Sequence, residues 1–431
     1  MRFPYVFWLI FGLLCSTSVS AQRTATLVIT NVNVVPMNTN TVLSKQTVLI
    51  ENGRIRAIAS TAKVRVPTGA VVVDGANKYL LPGFIDMHAH LPGQEGTRHP
   101  LNEYFRLNLA NGVTGLRSMR GDSTHLRWRD SLRRTQALAP HLYLGSPVLT
   151  RDKAYSNAKG AQLLRRYKAS GYDFAKYLGG LTAPQYDSLL LAARGLDFPV
   201  AGHAPRSGLR GAVAAHMSSI EHIEAFIEAY QQDSVQLKQL ARQMAADHLF
   251  TCPDFYWYEV AWLQYSPQHL QSLPGLAYVT QAVRTEWTSW LEAKTKQLNP
   301  SSGPNPVAGQ LTAYFRAYRQ AFRIMHKAGV QFLVSPGDGP FVIPGFSMAE
   351  ELGLLTELGL SPFEALRAAT TNAATWLGEE RQRGTIETGK AADLVLLEAN
   401  PLTNIANVRR VNGVVLDGRW VPVGKLLPPR P

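Results

Sequence analysis

Two histidines, one position apart, close an apolar segment near the start of this 431-residue chain. The segment FIDMHAH (84–90) places His88 and His90 on the same side of an extended strand, because residues i and i+2 share a face. Both imidazoles can therefore reach one ion, and imidazole is a common ligand of zinc and related metals. The pair alone fits a metal site and a structural role equally well, so further ligands must come from elsewhere in the chain.

Four more residues of suitable type occur in later apolar segments. His203 lies in FPVAGHA, His222 lies in SSIEHI and Asp338 closes VQFLVSPGD. An aspartate can bind a metal and can also accept a proton from a bound water. Lys176 in YDFAKYL is the exception, because an ammonium group repels cations. It can join a metal site only after carbon dioxide has converted its amine into an anionic carbamate.

These residues need a scaffold that brings distant segments to one place. Short apolar segments alternate with segments of helical spacing such as AQLLRRYKAS. Eight successive strand–helix units predict a (β/α)8 TIM barrel, an α/β fold whose functional side chains project from the carboxyl ends of the strands. The predicted strands fall within residues 79–88, 112–119, 141–150, 172–178, 198–204, 218–223, 248–254 and 330–338.

Both ends of the chain have a different pattern, in which apolar and polar residues alternate and turns contain glycine or asparagine. We therefore predict a small β-sandwich domain built from both chain termini, residues 22–80 and 382–431. The barrel then occupies residues 81–381. The stretch from 255 to 329 is long for one strand–helix unit, and we predict a helical insertion that covers or shapes the barrel mouth.

The first 21 residues have the composition of a secretory signal peptide. Arg2 precedes an apolar stretch, and small residues end at Ala21. The apolar stretch is too short for a typical spanning helix, so we expect a periplasmic or secreted protein with no stable membrane insertion. An uncleaved anchor is the alternative. Without the signal one cysteine remains, Cys252, which excludes an internal disulfide.

The formal net charge of +13 raises the question of nucleic-acid binding. The basic residues are scattered, as in HLRWRDSLRR, and no basic run interleaves with aromatic residues. A solvated basic surface explains this pattern, and we expect no nucleic-acid partner.

The segments LPGFIDMHAH, DFAKYL, PVAGHA, IEHIE and VSPGD, in this order, closely resemble those of the amidohydrolase superfamily. The prolidase-like and imidazolonepropionase-like branch is the most similar. The closing segment LSPFEALRAATTNAATWLG, followed by GTIETGKAADLVLLEANPL, also resembles the end of that family. The resemblance implies two metal ions, for which zinc is suitable, and a carbamylated Lys176 that bridges them. It assigns His88, His90 and Asp338 to the more buried ion and His203 and His222 to the more exposed one.

The implied reaction is hydrolysis of a carbon–nitrogen bond by a hydroxide that bridges the metals, with Asp338 as general base and acid. The substrate would be a small molecule, either a cyclic amide or a dipeptide with a prolyl end. Three alternatives stay open: a single-metal deaminase, a lactone or ester hydrolase on the same barrel, and a secreted binding protein without turnover. Ala349 stands where many relatives have a histidine. The oligomeric state, including a homo-oligomer, is also open.

Three further residues are candidates for substrate binding. Tyr177, Arg120 and Arg206 lie close in sequence to the predicted strand ends. Such side chains can bind a substrate carboxylate or an oxyanion.

Overall fold

The computed structural model describes residues 26–93, 100–150, 155–263, 267–298 and 306–427. The predicted signal peptide, residues 1–21, lies outside these ranges, so its cleavage and the export of the protein stay predictions. Within them, no helix combines the length and the apolar character that crossing a membrane requires.

The strands sort into one mixed sheet and two parallel sheets. All six residues of Phe84–Ala89 are buried, as expected for a parallel strand covered on both faces. In chain order the strands are β1 (Leu27–Val34), β2 (Leu43–Glu51), β3 (Arg54–Ser60), β4 (Val71–Asp74), β5 (Tyr79–Pro82), β6 (Phe84–Ala89), β7 (Val113–Ser118), β8 (His141–Leu144), β9 (Leu149–Thr150), β10 (Ala175–Gly179), β11 (Val200–Gly202), β12 (Ser219–Glu221), β13 (Phe250–Cys252), β14 (Gln331–Phe332), β15 (Leu394–Leu397), β16 (Val411–Leu416) and β17 (Arg419–Pro422).

The mixed sheet joins the two ends of the chain. Its order is β17-β16-β15-β5-β1-β2-β3, with β4 pairing with β1. The antiparallel pair of β5 and β15 makes the junction, with Leu81 opposite Val395. One connected sheet from both termini agrees with the alternating pattern seen there. The predicted two-layer sandwich and the domain boundaries themselves stay predictions.

The parallel strands form a sheet of three (β6-β7-β8) and a sheet of six (β14-β13-β12-β11-β10-β9). A few isolated contacts link their edges, among them the hydrogen bond from the amide of Ser146 to the carbonyl of Phe174 at 2.9 Å. Gly145 forms a bridge with Phe174, and the amide of Met87 donates to the carbonyl of Val334 at 2.9 Å. Pairing among the described strands therefore does not run continuously around a closed barrel. The expected fold class is confirmed at the level of an α/β fold with parallel strands.

Two predicted strands are wrong in detail. The segment 79–88 divides between β5, which belongs to the mixed sheet, and β6, which belongs to a parallel sheet. The segment 141–150 likewise divides into β8 and β9. Pro82 and Pro147 lie at these divisions, and a proline cannot donate to a strand ladder.

Helices alternate with the parallel strands and cover them. Local signals set several of their ends, for example the capping box in which Ser361 and Glu364 satisfy each other's backbone amides. The helices are α1 (Leu101–Ala110), α2 (Ser123–Thr135), α3 (Asn157–Ala169), α4 (Ala183–Gly195), α5 (Gly208–Ala214), α6 (Glu224–Gln232), α7 (Ser234–Ala246), α8 (Phe255–Tyr258), α9 (Pro267–Ser272), α10 (Gln281–Leu298), α11 (Pro306–Ala328), α12 (Phe346–Glu357), α13 (Pro362–Ala369), α14 (Thr371–Trp376) and α15 (Val423–Leu426).

Strands β10 and β11 approach each other closely at Gly202. This glycine has a φ of +146°, and a Cβ atom at its position would lie 1.9 Å from the carbonyl oxygen of Tyr177. The next amide, of His203, donates to that same oxygen at 3.0 Å. The missing side chain therefore allows the hydrogen bond that fixes the backbone of His203 beside β10.

Candidate metal centre

The structure brings the six predicted ligands to one cavity of about 200 Å³. They come from five strand ends in both parallel sheets. Arg120 and Trp257 also line this cavity. The six are His88, His90, Lys176, His203, His222 and Asp338.

The imidazoles form a connected group. The ring centre of His222 lies 4.6 Å from that of His88 and 4.8 Å from that of His203. The rings of His88 and His90 are 5.5 Å apart, and His90 Nδ1 lies 2.7 Å from Asp338 Oδ2. These spacings allow several nitrogen and oxygen atoms to converge on shared ions.

Burial keeps part of this group neutral. Burial, and after it the neighbouring His222 and Lys176, lower the pKa of His203 to about 3. Burial also holds the pKa of His88 well below its usual value. A neutral imidazole has a free lone pair, which is the form that binds a metal.

Lys176 is almost completely enclosed, with 2% of its surface exposed. Burial lowers its pKa to about 8. The neutral amine, which is the form that reacts with carbon dioxide, is therefore more accessible than in an exposed lysine. Carbamylation itself stays a prediction.

Glu221 is a supporting residue that the sequence analysis did not identify. Its side chain is fully buried, and Oε2 lies 2.8 Å from His88 Nδ1. Arg117 donates to both of its oxygens, at 2.8 and 3.0 Å, and also to Ser219 Oγ at 2.9 Å. Because Glu221 accepts from Nδ1, it leaves Nε2 of His88 for a metal. A glutamate next to a histidine is too common in sequences to reveal this contact.

Asp254 was also missed, although its position gave a signal. It closes the seventh predicted strand segment, 248–254, in the same way that Asp338 closes the eighth. Its Oδ2 lies 3.0 Å from His222 Nδ1 and 3.2 Å from His88 Nδ1, and Oδ1 lies 3.1 Å from Cys252 Sγ. The backbone has a φ of +54°, which aspartate tolerates better than most residues.

The chemistry of this donor set fits divalent metal ions. Asp254 Oδ2 is buried between Nδ1 of His222 and Nδ1 of His88, and burial raises the pKa of this carboxyl group. A nearby cation would favour the ionised form. His88, His222 and Asp254 can each offer one ligand atom within 4.8 Å of the others. A group of imidazoles with several enclosed carboxylates is the type of site that binds zinc and similar metals.

The three candidates for substrate binding lie in different surroundings. Arg120 lines the cavity. Arg206 is exposed and does not line it. Tyr177 is fully buried on the strand face opposite Lys176, where its hydroxyl accepts from the amide of Leu181 at 3.3 Å. Strand alternation explains this, because neighbours on β10 point to opposite faces. The structure therefore does not support direct substrate contact by Tyr177.

Residues from the predicted insertion reach the site. Trp257 lines the metal cavity, and Val283 and Trp287 of α10 line an adjoining space next to His90 and Asp338. This agrees with an insertion that shapes the mouth. Ala349 lies on α12 and is buried with 7% of its surface exposed.

We expect Glu221→Gln to destabilise the protein by about 3–5 kcal/mol, because the change leaves the Arg117 charge buried without its partner. Equilibrium unfolding in urea measures the effect. As the matched control, Glu350→Gln removes an ion pair to Arg409 that is partly exposed, and should cost at most about 1 kcal/mol. Equal losses for the two variants would contradict the importance of the buried pair.

We expect Asp254→Asn to weaken metal binding by about 10- to 100-fold, because a carboxylate in contact with ligating histidines orients them and raises their basicity. Competition with a chromophoric chelator measures the affinity. Asp247→Asn, three residues before β13, is the control and should leave it unchanged. Unaltered metal affinity in Asp254→Asn would refute this role.

Comparisons with known proteins agree with this geometry. The model of the amidohydrolase family matches residues 79–421. An imidazolonepropionase of Shouchella clausii is 38% identical over 125 residues, 27% of this chain and 27% of that one. An adenine deaminase of Staphylothermus marinus is 30% identical over 99 residues, 22% of this chain and 16% of the other. The chain thus spans less than a third of the length of these curated relatives.

A solved structure is similar over nearly the whole length. It is a Xaa-Pro dipeptidase with methionine bound in its active site, with a TM-score of 0.71 and 18% sequence identity. The match covers 92% of this chain and 100% of the dipeptidase chain. At this identity the likeness shows a common fold. Because the family match spans most of the sequence, the chain belongs to the amidohydrolase family.

Proposed function

We propose that the protein is a metal-dependent hydrolase with two metal ions that cleaves a carbon–nitrogen bond in a cyclic amide or a dipeptide. The observation that carries this proposal is the convergence of all six predicted ligands, together with Asp254, on one enclosed cavity. We also infer that the two parallel sheets together correspond to the (β/α)8 barrel typical of the family. Export to the periplasm or medium is proposed from residues 1–21 alone.

The residues of the chain have distinct tasks in this mechanism. Two divalent ions, when bound, would activate a water molecule and polarise the scissile carbonyl group. Asp338 accepts the proton of the attacking water and delivers it to the leaving nitrogen. Lys176, as a carbamate, would supply an anionic ligand between the group of His88, His90 and Asp338 and the pair of His203 and His222. Arg120 lies at the cavity wall, where its guanidinium can orient a substrate carboxylate.

The choice of substrate class rests on two kinds of likeness. Imidazolonepropionase is the name of one sequence relative, and Xaa-Pro dipeptidase is the name of one similar structure. We therefore propose cyclic amides and prolyl dipeptides as the first substrates to test. Lactones and esters are further candidates, because the same activated water would attack their carbonyl groups.

A single-metal deaminase is the second candidate, favoured by the partial likeness to an adenine deaminase. The position of Lys176 between ligands from both sheets argues against it, since a one-metal site has no use for a bridge. A binding protein without turnover is the third candidate. Complete retention of the ligand set in one cavity favours an active enzyme over this reading.

We expect the purified protein to hold two metal ions per chain, and Lys176→Ala to lose one or both. The reason is that the carbamate supplies a ligand to each ion. Elemental analysis measures the metal, and added acetate should restore part of it by occupying the vacated space. Lys63→Ala, an exposed lysine, is the control. One metal per chain, unaffected by Lys176→Ala, would rule out the bridge and favour the deaminase.

We expect hydrolysis of at least one member of a library of prolyl dipeptides and cyclic amides, supplied with zinc and bicarbonate. Asp338→Asn should lower kcat by about 10²- to 10⁴-fold, because proton transfer loses its base. The exposed Asp187→Asn serves as control and should retain full activity. Release of ammonia from aminated purines without amide hydrolysis would support the deaminase. Bound metal with no turnover of any substrate would support the binding protein.

A further inference from the structure

A second, larger cavity lies away from the metal centre. Its volume is about 680 Å³, and its wall includes His141 at the amino end of β8. The metal ligands follow the carboxyl ends of the parallel strands, so the two cavities are at opposite edges of those strands. Helix α2 forms one side. The β2–β3 turn and the β16–β17 turn form another, and they pack together, with a Cβ at Gly53 3.4 Å from the carbonyl oxygen of Asp417.

Five arginines line this cavity, and they differ in how their charge is balanced. Arg129 pairs with Asp173 at 2.8 Å, and Arg383 pairs with Asp393 at 2.8 Å. The other three have no carboxylate within 4.0 Å in the described part of the chain. These three are Arg54, Arg133 and Arg419.

The acidic residues of the wall are already engaged. Glu379 accepts from the hydroxyl of Tyr143 at 2.6 Å and also pairs with Arg383. Asp417 lies 3.5 Å from Nε2 of His141, and its side chain is 56% exposed. With Asp173 and Asp393 included, the five arginines face four carboxylates, and the cavity has a small excess of positive charge.

Two of the three arginines are held in place by neutral groups. Arg54 donates to the side chain of Gln382 at 3.1 Å and to the carbonyl of Gly389 at 2.9 Å. Arg419 donates through Nη1 to the carbonyl of Gln136 at 2.9 Å, while its Nη2 is buried and meets no acceptor among the residues that the structure describes. A buried donor without an acceptor costs stability, and a bound anion would remove that cost.

We propose that this cavity is a binding site for a small soluble molecule that carries two phosphate groups. Three guanidinium groups with no carboxylate within 4.0 Å among the described residues can donate to such an anion, and the planar guanidinium donates to phosphate oxygens in pairs. The volume exceeds that of a single phosphate and lies within the range of small-molecule sites. The proposal is independent of the hydrolase function.

Calorimetric titration of the metal-loaded protein with fructose 1,6-bisphosphate tests the site, and fructose is the uncharged comparison. We expect a Kd below about 1 mM for the bisphosphate at physiological salt, and no heat from fructose. Arg133→Gln and Arg419→Gln should each weaken binding by about 10-fold, which corresponds to the loss of one charged hydrogen-bonding partner. Thermal unfolding without ligand verifies that each variant is folded, and elemental analysis verifies that metal content is unchanged.

The matched control is Arg134→Gln, because Arg134 is the exposed neighbour of Arg133 on α2 and does not line the cavity. It should bind the bisphosphate as the wild type does. An equal loss in Arg134→Gln would show diffuse attraction to a basic surface and overturn the site. So would absence of binding up to about 10 mM, or binding that disappears in His203→Ala and persists in Arg133→Gln, which would place the ligand at the metal centre.

Discussion

The buried ion pair between Arg117 and Glu221 is the constraint on which the metal centre depends. Arg117 belongs to the three-stranded sheet and Glu221 to the six-stranded one, so the pair joins two sheets that share few backbone hydrogen bonds. Burying two charges is costly, and the cost is offset only when every donor and acceptor is satisfied. The guanidinium meets this condition by donating to Glu221 and Ser219, and its flat face lies 4.2 Å from the ring centre of Trp376. The same carboxylate then orients His88.

Electrostatics and burial act together in the cavity above this pair. Enclosure favours the neutral forms of His88 and His203, which leaves their lone pairs available, and it disfavours the ionised form of Asp254. Burial likewise disfavours the charged ammonium form of Lys176. Divalent cations, when bound, would favour the ionised form of Asp254 and the neutral form of the lysine amine.

The six candidate ligands could be grouped from the sequence because each lies in or at the end of a short apolar segment, and parallel strands bring such segments together at one edge. The same rule would have identified Asp254 at the end of 248–254. It could not identify the contact of Glu221 with His88, which depends on how two sheets face each other. Nor could it place Tyr177, whose neighbour Lys176 takes the inward position on β10. The strand pairing was predicted less well, because apolar runs do not show that 79–88 is shared between two sheets. Nor do they show that only an isolated bridge at Gly145 joins β8 to the segment before β10.

Gly202 has a consequence for any attempt to transplant this centre. Its lack of a side chain lets the backbone of β10 come within hydrogen-bond distance of the amide of His203. A design that copied only the six candidate ligand side chains onto another parallel sheet would omit this space. Strand β11 would then lie too far from β10 for the imidazole of His203 to converge with the others. Transfer of the site to another protein therefore requires the candidate ligands and also the space that Gly202 leaves between two backbones.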